Sequence, residues 1–407
     1  MTKEKFGLIE LALVLFALGI GGIATVVTGL HVYMTRTAPV LHPDPASVPG
    51  TIDDQPAISW APAADRGRRI VRAAIADRNL PGVSVAVGSR GELVWAEGFG
   101  WADLDAEVPV APSTRFRIGT ASMAITSAMV GLLVEDGRLD LEAPIQTWVP
   151  EFPTKEWPVT LRHVLAHTSG LRTDAGDEGP FDRHCEQAID GLSLFARRSL
   201  LFEPDTRFRF SSFGWILAGA AIEAAAGEPF LSVVERRVLD PIGMRHTRPD
   251  SADDAVEDRA TSYFPRYAAE PRHGLHLMRP IDLSCYAGAG VYLSTPSDLV
   301  RFGMAMLEGT LLRRSTVERL WTEQRLVTGE PTGWGLGWRL DTVELGGRPT
   351  RSVHADGTVL GGTAASLTLF PEHELVVAVV SNISYADTAT IAMDLAGAFT
   401  APAPQDQ

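Results

Sequence analysis

Apolar positions recur with regular spacing along most of the chain beyond residue 64, and the type of spacing changes with position. Residues 66–79 have helical periodicity. Two apolar runs, 83–88 and 92–99, flank Ser89-Arg90-Gly91 and predict a β-hairpin. Helical spacing dominates the middle of the chain, and strands return late. The later predicted helices are 121–135, 161–167, 213–225, 296–307, 315–322 and 386–399, and the later strands are 337–340, 364–370 and 375–380.

This order of elements predicts the fold class. Strands at both ends of the folded region surround a helical middle, which is typical of an α+β protein. We expect one antiparallel sheet built from both chain ends, with flanking helices and a separate helical lobe. One transmembrane helix is expected to precede this domain.

The transmembrane helix is predicted from Leu11–Leu30, twenty consecutive residues without a charge. At about 1.5 Å per residue this run spans roughly 30 Å, the thickness of a hydrocarbon core. A cleaved signal peptide is the alternative, but its apolar region is shorter and a small-residue cleavage site follows it. Bulky residues follow the run here, and Tyr33 suits a membrane interface. We therefore predict a retained anchor.

The anchor divides the chain into five predicted parts. They are a cytoplasmic tail (1–10), the anchor (11–34), a proline-rich linker (35–64), a folded domain (65–400) and a short tail (401–407). Lys3 and Lys5 precede the span, and this charge favours an N-terminus inside the cell. The expected location is a bacterial inner (cytoplasmic) membrane, crossed once, with the C-terminal domain in the periplasm.

A stripe of small residues lies along one face of the predicted anchor, and it consists of Ala17, Gly21, Ala24 and Thr28. Small side chains let two membrane helices approach closely. They are also common in membrane helices that have no such partner. As a prediction, the stripe indicates contact with another membrane protein or complex, through this helix, the extracytoplasmic domain or both.

Composition narrows the choice of partners. The chain has 407 residues, 45% of them hydrophobic and 21% charged, with a formal net charge of −14. This charge argues against nucleic acid, whose phosphates attract basic surfaces. No metal-binding spacing or phosphate-binding loop occurs, so no cofactor and no metal are expected. Cys185 and Cys285 form a disulfide or remain two buried thiols; spacing alone does not decide between these states.

Five ordered stretches of the chain carry a resemblance to a known family. The chain resembles the serine β-lactamase and penicillin-binding-protein superfamily, in its class C-like branch, from about Asp65 to Phe399. The five stretches are F-R-I-G at Phe116–Gly119, L-R-H-V-L-A-H-T-S-G-L at Leu161–Leu171, F-S-S-F-G-W at Phe210–Trp215, A-G-A-G-V-Y-L-S-T at Ala287–Thr295 and G-W-G-L-G-W at Gly333–Trp338.

The resemblance implies an S-x-x-K motif at the start of a helix, where the lysine amine activates the serine hydroxyl. The matching positions here are Thr120 and Met123. A shifted motif is excluded because the chain has only three lysines, Lys3, Lys5 and Lys155, and none lies three residues after a serine. The nucleophile and base pair of the family is therefore absent.

Two further elements of the family are altered as well. The Y-x-N element, whose tyrosine can act as general base, matches Phe210 and Ser212. The K/H-x-G element on the strand beside the site is matched at its first position by His354, with Asp356 in place of glycine. Lysine to methionine and tyrosine to phenylalanine keep the approximate volume and delete the ionisable group, a pattern typical of a fold retained without turnover.

These observations predict a membrane-anchored pseudoenzyme that acts as a scaffold or accessory subunit. An alternative is a residual serine/threonine hydrolase or peptidase in which Thr120 works with His354. A third hypothesis is a binding domain that holds a peptide-like ligand in the old cleft, which an anionic Asp356 at the cleft would disfavour.

Overall fold

A computed structural model describes residues 3–172, 182–251, 256–359 and 361–400, with side chains described except at 3–15, 17, 18, 358 and 359. The predicted tail 401–407 and the first two residues lie outside the described residues. The helices are α1 (Lys3–Thr37), α2 (Ala61–Arg78), α3 (Ser122–Glu135), α4 (Leu161–Leu165), α5 (Ser212–Ala226), α6 (Phe230–Val234), α7 (Ala287–Gly290), α8 (Pro296–Glu308), α9 (Arg314–Leu320) and α10 (Thr388–Thr400).

In the described part of the chain, the strands form one large antiparallel sheet and two small ones. The large sheet has the order β1-β3-β2-β13-β12-β11-β10, with β4 paired to β3 at one side. Strands from both ends of the folded region therefore meet in its centre, as predicted. The strands are β1 (Gly50–Thr51), β2 (Gly82–Ser89), β3 (Glu92–Asp103), β4 (Val108–Pro109), β5 (Phe116–Arg117), β6 (Arg248–Pro249), β7 (Tyr263–Pro265), β8 (Leu275–Leu277), β9 (Tyr292–Ser294), β10 (Arg339–Leu345), β11 (Arg348–Val359), β12 (Thr363–Phe370) and β13 (Leu375–Ser381).

The large sheet separates two hydrophobic cores. One core lies under α2 and α10, on one face of the sheet. The other lies between the opposite face, covered by α8, and a helical lobe built around α3 and α5. Both α3 and α5 are apolar on nearly all sides and almost wholly buried, which suits central helices of a lobe. The α+β architecture is therefore confirmed.

The predicted hairpin and the longer predicted helices agree with this structure, whereas α6, α7 and the short strands β4 to β9 were not predicted, and α2 begins at Ala61, five residues earlier than expected. The hairpin is confirmed as β2 and β3, and α5 ends at Gly227 in a left-handed conformation, as a C-cap glycine does. The strand predicted at 337–340 begins at Arg339 and continues to Leu345. Strand β11 was not predicted from periodicity, because Arg348–Ser352 offers no alternation of apolar residues.

Part of the predicted linker packs against the domain. Val48 is 2% exposed, and Gly50–Thr51 pairs with β3. Asn79 at the end of α2 holds the segment further upstream: its Nδ2 donates to the carbonyl of Pro39 (2.9 Å) and its Oδ1 accepts from the amide of Leu41 (2.9 Å). Residues 39–51, within the predicted proline-rich linker, therefore form a strap on the domain surface.

The N-terminal helix α1 runs over 35 residues. Within the described part of the chain, no single helix has both the length and the hydropathy needed to cross a membrane. The helical segments Ser212–Ala226 and Phe230–Ile242 meet both criteria only when they are taken together, and the angle between them is 77°. The side chain of Ala17, in the predicted stripe, lies outside the described residues. Gly21, Ala24 and Thr28 are exposed along α1.

A disulfide joins Cys185 to Cys285, with their Cα atoms 4.9 Å apart. It links the segment that follows residue 181 to the turn Ser284–Tyr286. Of the two states left open by the sequence, the structure has the oxidised one.

Candidate active site

Thr120 lies where the family places its nucleophile. Strand β5 leads into a single 3₁₀ turn, Gly119–Ala121, which continues directly into α3. Gly119 has a φ of +52°, a backbone conformation that glycine adopts without strain. The Thr120 side chain is half-buried, and its Oγ1 donates to the backbone carbonyl of Asp356 at 3.0 Å. The hydroxyl proton is therefore held by a main-chain acceptor, which is not a base.

Met123 follows Thr120 by one helical turn. Its side chain is 3% exposed and belongs to the core between the sheet and the helical lobe. Methionine is flexible and apolar and fills such space well. The structure therefore places a packed thioether where the family has an amine.

Phe210 lies outside the cavity beside Thr120, in a cluster of aromatic rings. It is 36% exposed and stacks on His167 with ring centroids 4.4 Å apart. Trp334 packs edge-on to His167 at 5.1 Å, and Phe208 and Trp215 complete the surroundings of the imidazole. Stacking of this kind accounts for an aromatic ring at position 210 without any use of a phenol hydroxyl.

His167, at the centre of this aromatic cluster, is 1% exposed. Its Nδ1 accepts from the amide of Ser211 at 3.1 Å, which leaves the proton of the neutral ring on Nε2. Burial lowers the pKa of His167 to about 3, because the charged ring would have no water around it. The residue stays neutral, and its contacts are those of a structural histidine.

His354 and Asp356 face away from Thr120. On the neighbouring strand β12, His354 pairs with Thr368 and Asp356 pairs with Ser366. The hydroxyl of Ser366 hydrogen-bonds to Thr388 in α10, which covers the opposite face of the sheet. Because side chains two residues apart share a face, His354 and Asp356 both lie on the α10 side. In the structure His354 is therefore not directed at Thr120.

The contacts of these two side chains agree with that placement. The ring nitrogens of His354 hydrogen-bond to Ser352 Oγ (2.8 Å) and Thr368 Oγ1 (3.2 Å). Burial, together with the nearby charge of Arg339, lowers the pKa of His354 to about 4, although Asp356 and Asp341 oppose this shift. Arg339 also donates from Nη2 to Asp356 Oδ2 at 3.0 Å. Asp356, which was expected to place a negative charge at the cleft, is thus paired with Arg339 on the opposite face of the sheet.

The residues of β11 that face the site are Ala355 and Gly357. A Cβ atom on Gly357 would lie 2.0 Å from the carbonyl oxygen of Ile118 and 3.0 Å from the amide of Ala121. Only glycine lets the strand approach the nucleophile turn this closely. Of the stretch His354-Ala355-Asp356 that matches K/H-x-G in the sequence, the residue on the site face is thus Ala355, followed on that face by Gly357.

A small cavity adjoins Thr120, with a volume of about 30 Å³. Among the described residues, the ionisable side chains that line it are Arg117 and Tyr286, and Ser212 adds a hydroxyl; the remaining lining is apolar or threonine and glycine. Tyr286 is 4% exposed and precedes the A-G-A-G stretch directly. Sequence reasoning missed Tyr286 and Arg117, although both lie within or beside motifs that it had singled out.

Arg117 belongs to a buried charge cluster at the edge of this cavity. Its Nε donates to Asp250 Oδ2 at 2.5 Å, and its Nη1 donates to the carbonyl of Gly361 at 3.3 Å. Arg259 pairs with the other carboxylate oxygen of Asp250 at 3.0 Å. Two guanidinium groups thus share one carboxylate, so the wall of the cavity carries positive charge. A guanidinium group stays protonated and is unsuitable as a base.

The antiparallel sheet, the helical lobe and the turn at the start of α3 together define a domain of the β-lactamase and penicillin-binding-protein type. A profile of the Beta-lactamase family matches residues 68–400, most of the chain, and the protein belongs to this family.

Two curated relatives and one solved structure show how far the similarity extends. The chain is 28% identical over 324 residues to the serine beta-lactamase-like protein LACTB, mitochondrial, of Bos taurus, covering 61% of this chain and 57% of that protein. It is 27% identical over 277 residues to penicillin-binding protein 4* of Bacillus subtilis, covering 65% and 61%. The chain thus spans less than two thirds of the length of these relatives. The octameric penicillin-binding protein homologue from Pyrococcus abyssi has the same fold, with a TM-score of 0.68 at 24% identity, over 81% of this chain and 76% of that one.

Proposed function

We propose that this protein is a catalytically inactive member of the family, anchored in the inner membrane, that acts as a scaffold or accessory subunit of a membrane protein assembly. The observation that carries the proposal is the state of Thr120. Its hydroxyl is bonded to the carbonyl of Asp356, and the described residues around it offer no lysine, histidine or carboxylate.

The size of the expected loss supports this proposal. Removing one member of a cooperating catalytic set lowers kcat by up to about 10⁶-fold, and further removals add little. Here the amine is replaced by Met123 and the phenol by Phe210. These two replacements lie in different parts of the chain, in α3 and just before α5, and each side chain packs against apolar or aromatic neighbours.

Anchoring is supported by the apolar run Leu11–Leu30 and by the exposed apolar side chains of α1. Ile20, Ile23 and Val26 are 52%, 67% and 70% exposed, values that suit contact with lipid and not with water. The disulfide between Cys185 and Cys285 suits an oxidising compartment such as the periplasm. Together these features favour a periplasmic domain on a single membrane helix.

The partner is proposed to contact the stripe of small residues on α1. A Cβ atom on Gly21 would meet nothing within 4 Å, so this face is open to a second helix. The test is co-purification of tagged protein from native membranes in mild detergent, compared with a Gly21→Leu variant. A stoichiometric partner that the variant loses supports the proposal. A solitary monomer under every condition contradicts the scaffold role.

Catalytic inactivity needs a separate test. Full-length protein is incubated with a fluorescent penicillin, a fluorophosphonate probe and ester substrates, with Thr120→Ala as the matched control. We expect no covalent label and no turnover above the control. A label that depends on Thr120 would overturn the inactive assignment and leave the anchoring proposal intact.

A second candidate function rests on Tyr286, which lines the same cavity as Thr120. A phenol can act as general base in acyl transfer. If Thr120 is acylated in the labelling experiment, this candidate predicts that Tyr286→Phe loses the label and His354→Gln keeps it. The earlier alternative with His354 as base predicts the reverse.

A binding role for the old cleft is a weaker proposal. A cavity of about 30 Å³ has room for a few water molecules, and a peptide-like ligand would have to widen it. Calorimetric titration with a peptide that ends in D-alanine tests this role directly.

A further inference from the structure

The end of the membrane helix contacts one hairpin of the domain. This juxtamembrane hairpin comprises residues 263–279: β7, the 3₁₀ turn Pro271–His273 and β8. The imidazole of His31 in α1 packs edge-on to that of His273, with centroids 5.0 Å apart. Pro39, in the strap, lies 3.5 Å from the position of a Cβ atom on Gly274. The helix therefore meets the domain at a defined place.

This contact sets the height of the hairpin above the membrane. His31 follows the last residue of the apolar run Leu11–Leu30 directly. The end of such a run lies at the boundary between hydrocarbon and head groups. His273 and its neighbours are consequently placed at the level of the lipid head groups. This step rests on the anchoring proposed above.

The hairpin has the charge and the exposed side chains that suit such a position. It contains three arginines and one glutamate, in a chain whose net charge is −14. Arg272 pairs with Glu270, whereas none of the ion pairs found among the described residues involves Arg266 or Arg279. Leu277 is 65% exposed at the open end of β8.

Aromatic and acidic neighbours complete the surroundings. Tyr385 is 43% exposed and packs edge-on to Phe264 of β7, at 5.6 Å. Asp77 and Asp387 line the same surface pocket as Arg272. The carboxylate of Asp387 is paired with Arg78. Among the described residues, Arg266 and Arg279 are thus the arginines of the hairpin that have no carboxylate partner. Leu277 is its exposed apolar side chain. Tyrosine is a residue that favours membrane interfaces.

We infer that the juxtamembrane hairpin is a lipid-docking surface, in which Leu277 enters the interface and Arg266 and Arg279 bind head-group phosphates of anionic lipid. The residues 281 and 283 that follow the hairpin line the cavity at Thr120. Docking would therefore hold the old active site close to the membrane surface and fix the orientation of the domain presented to a partner.

The test uses the full chain reconstituted in lipid vesicles. Both native cysteines are in the disulfide, so a single cysteine introduced at position 277 (Leu277→Cys) can carry an environment-sensitive fluorophore. The control is Val327→Cys, at a side chain that is 72% exposed outside the hairpin. In vesicles containing phosphatidylglycerol we expect blue-shifted emission and several-fold weaker quenching by iodide at position 277 than at position 327.

Two further comparisons make the outcome decisive. A fluorophore at Val26→Cys reports on the anchor itself. If position 26 is protected and position 277 is quenched as strongly as 327, the docking inference fails and the anchor stands; quenching at both 26 and 277 removes both proposals. Arg266→Gln with Arg279→Gln should restore quenching at 277. Equal protection in phosphatidylcholine alone would overturn the role given to the arginines.

Discussion

Met123 and Phe210 each take up about the volume of the ionisable side chain that the family has at the same position. Both are held by apolar or aromatic neighbours, so packing alone explains them. These two substitutions could be recognised from the sequence, because S-x-x-K and Y-x-N are short motifs on helix starts. The orientation of His354 could not, because the face of the sheet that a strand residue occupies depends on the pairing register with neighbouring strands. The sequence of the motif does not determine that register.

A lysine at position 123 tests whether the side chains around this position can still stabilise a charged amine. In Met123→Lys the ammonium group would be buried among apolar neighbours, and we expect a loss of unfolding free energy of about 3 kcal/mol or more. Met123→Leu keeps the volume and should lose less than about 1.5 kcal/mol. Denaturant unfolding in mild detergent measures both. A lysine variant as stable as the leucine variant would contradict the view that this site is now packed as core.

The buried His167 predicts a dependence of stability on pH. Its pKa is about 3 in the folded protein, against roughly 6.5 in an unfolded chain. The unfolded state therefore binds more protons below pH 6.5. The stability that the neutral ring contributes is present above that pH and is lost as the pH falls towards 3. From pH 6 to pH 4 we expect the unfolding free energy to fall by up to about 1.4 kcal/mol per unit from this residue.

His167→Asn is the variant that isolates this effect. Asparagine tolerates the φ of +59° at this position, and its Oδ1 can accept from the Ser211 amide as Nδ1 does. The acid-dependent loss should become smaller in this variant, measured as unfolding free energy at several pH values. His354, whose pKa burial also lowers, to about 4, should leave a residual slope of the same sign. An unchanged slope would show that His167 is not the titrating group.

Among the elements, those with a long apolar run or regular apolar spacing were predicted, and those formed by long-range contacts were not. The hairpin β2–β3 and helices α3, α5 and α8 follow from local pattern and caps. Strand β11 is mostly polar over its first half and is stabilised by its neighbours β10 and β12. The strap at 39–51 was read as a linker because prolines mark irregular chain, and they do not show whether that chain packs on a domain.

Gly357 tests the close approach of β11 to the nucleophile turn. In Gly357→Ala the new methyl group would meet the Ile118 carbonyl, so strand or turn must move. We expect a loss of about 1–3 kcal/mol in unfolding free energy. The control is Gly397→Ala in α10, where a Cβ atom meets nothing within 4 Å and should stabilise the helix by up to about 1 kcal/mol. Equal stability of the two variants would show that the glycine is not needed for this contact.

For the whole molecule, contacts between distant residues join the domain to helix α1 more tightly than a flexible linker would. The strap is held by Asn79, Val48 is buried, and His273 contacts His31. Met123 and Phe210 occupy the positions of the family's lysine and tyrosine, while the contacts between α1 and the domain are well formed. This combination supports the proposal of an anchored domain whose position relative to the membrane matters more than turnover. The apolar run Leu11–Leu30 predicted an anchor, but the attachment of the domain to α1 depends on contacts between distant residues, which the sequence does not show.

Asn79→Gly tests whether the strap holds the domain. Asn79 adopts a left-handed conformation, with a φ of +56°, at the end of α2, so glycine keeps the helix cap and removes only the side chain. Two hydrogen bonds to the strap, at Pro39 and Leu41, are lost. At about 0.5–1.5 kcal/mol each, local opening should become roughly tenfold more frequent. Trypsin cleavage after the exposed Arg36 should then release the domain from vesicles several-fold faster. Release at the rate of the unaltered protein, with global stability unchanged, would show that the strap is held by other contacts.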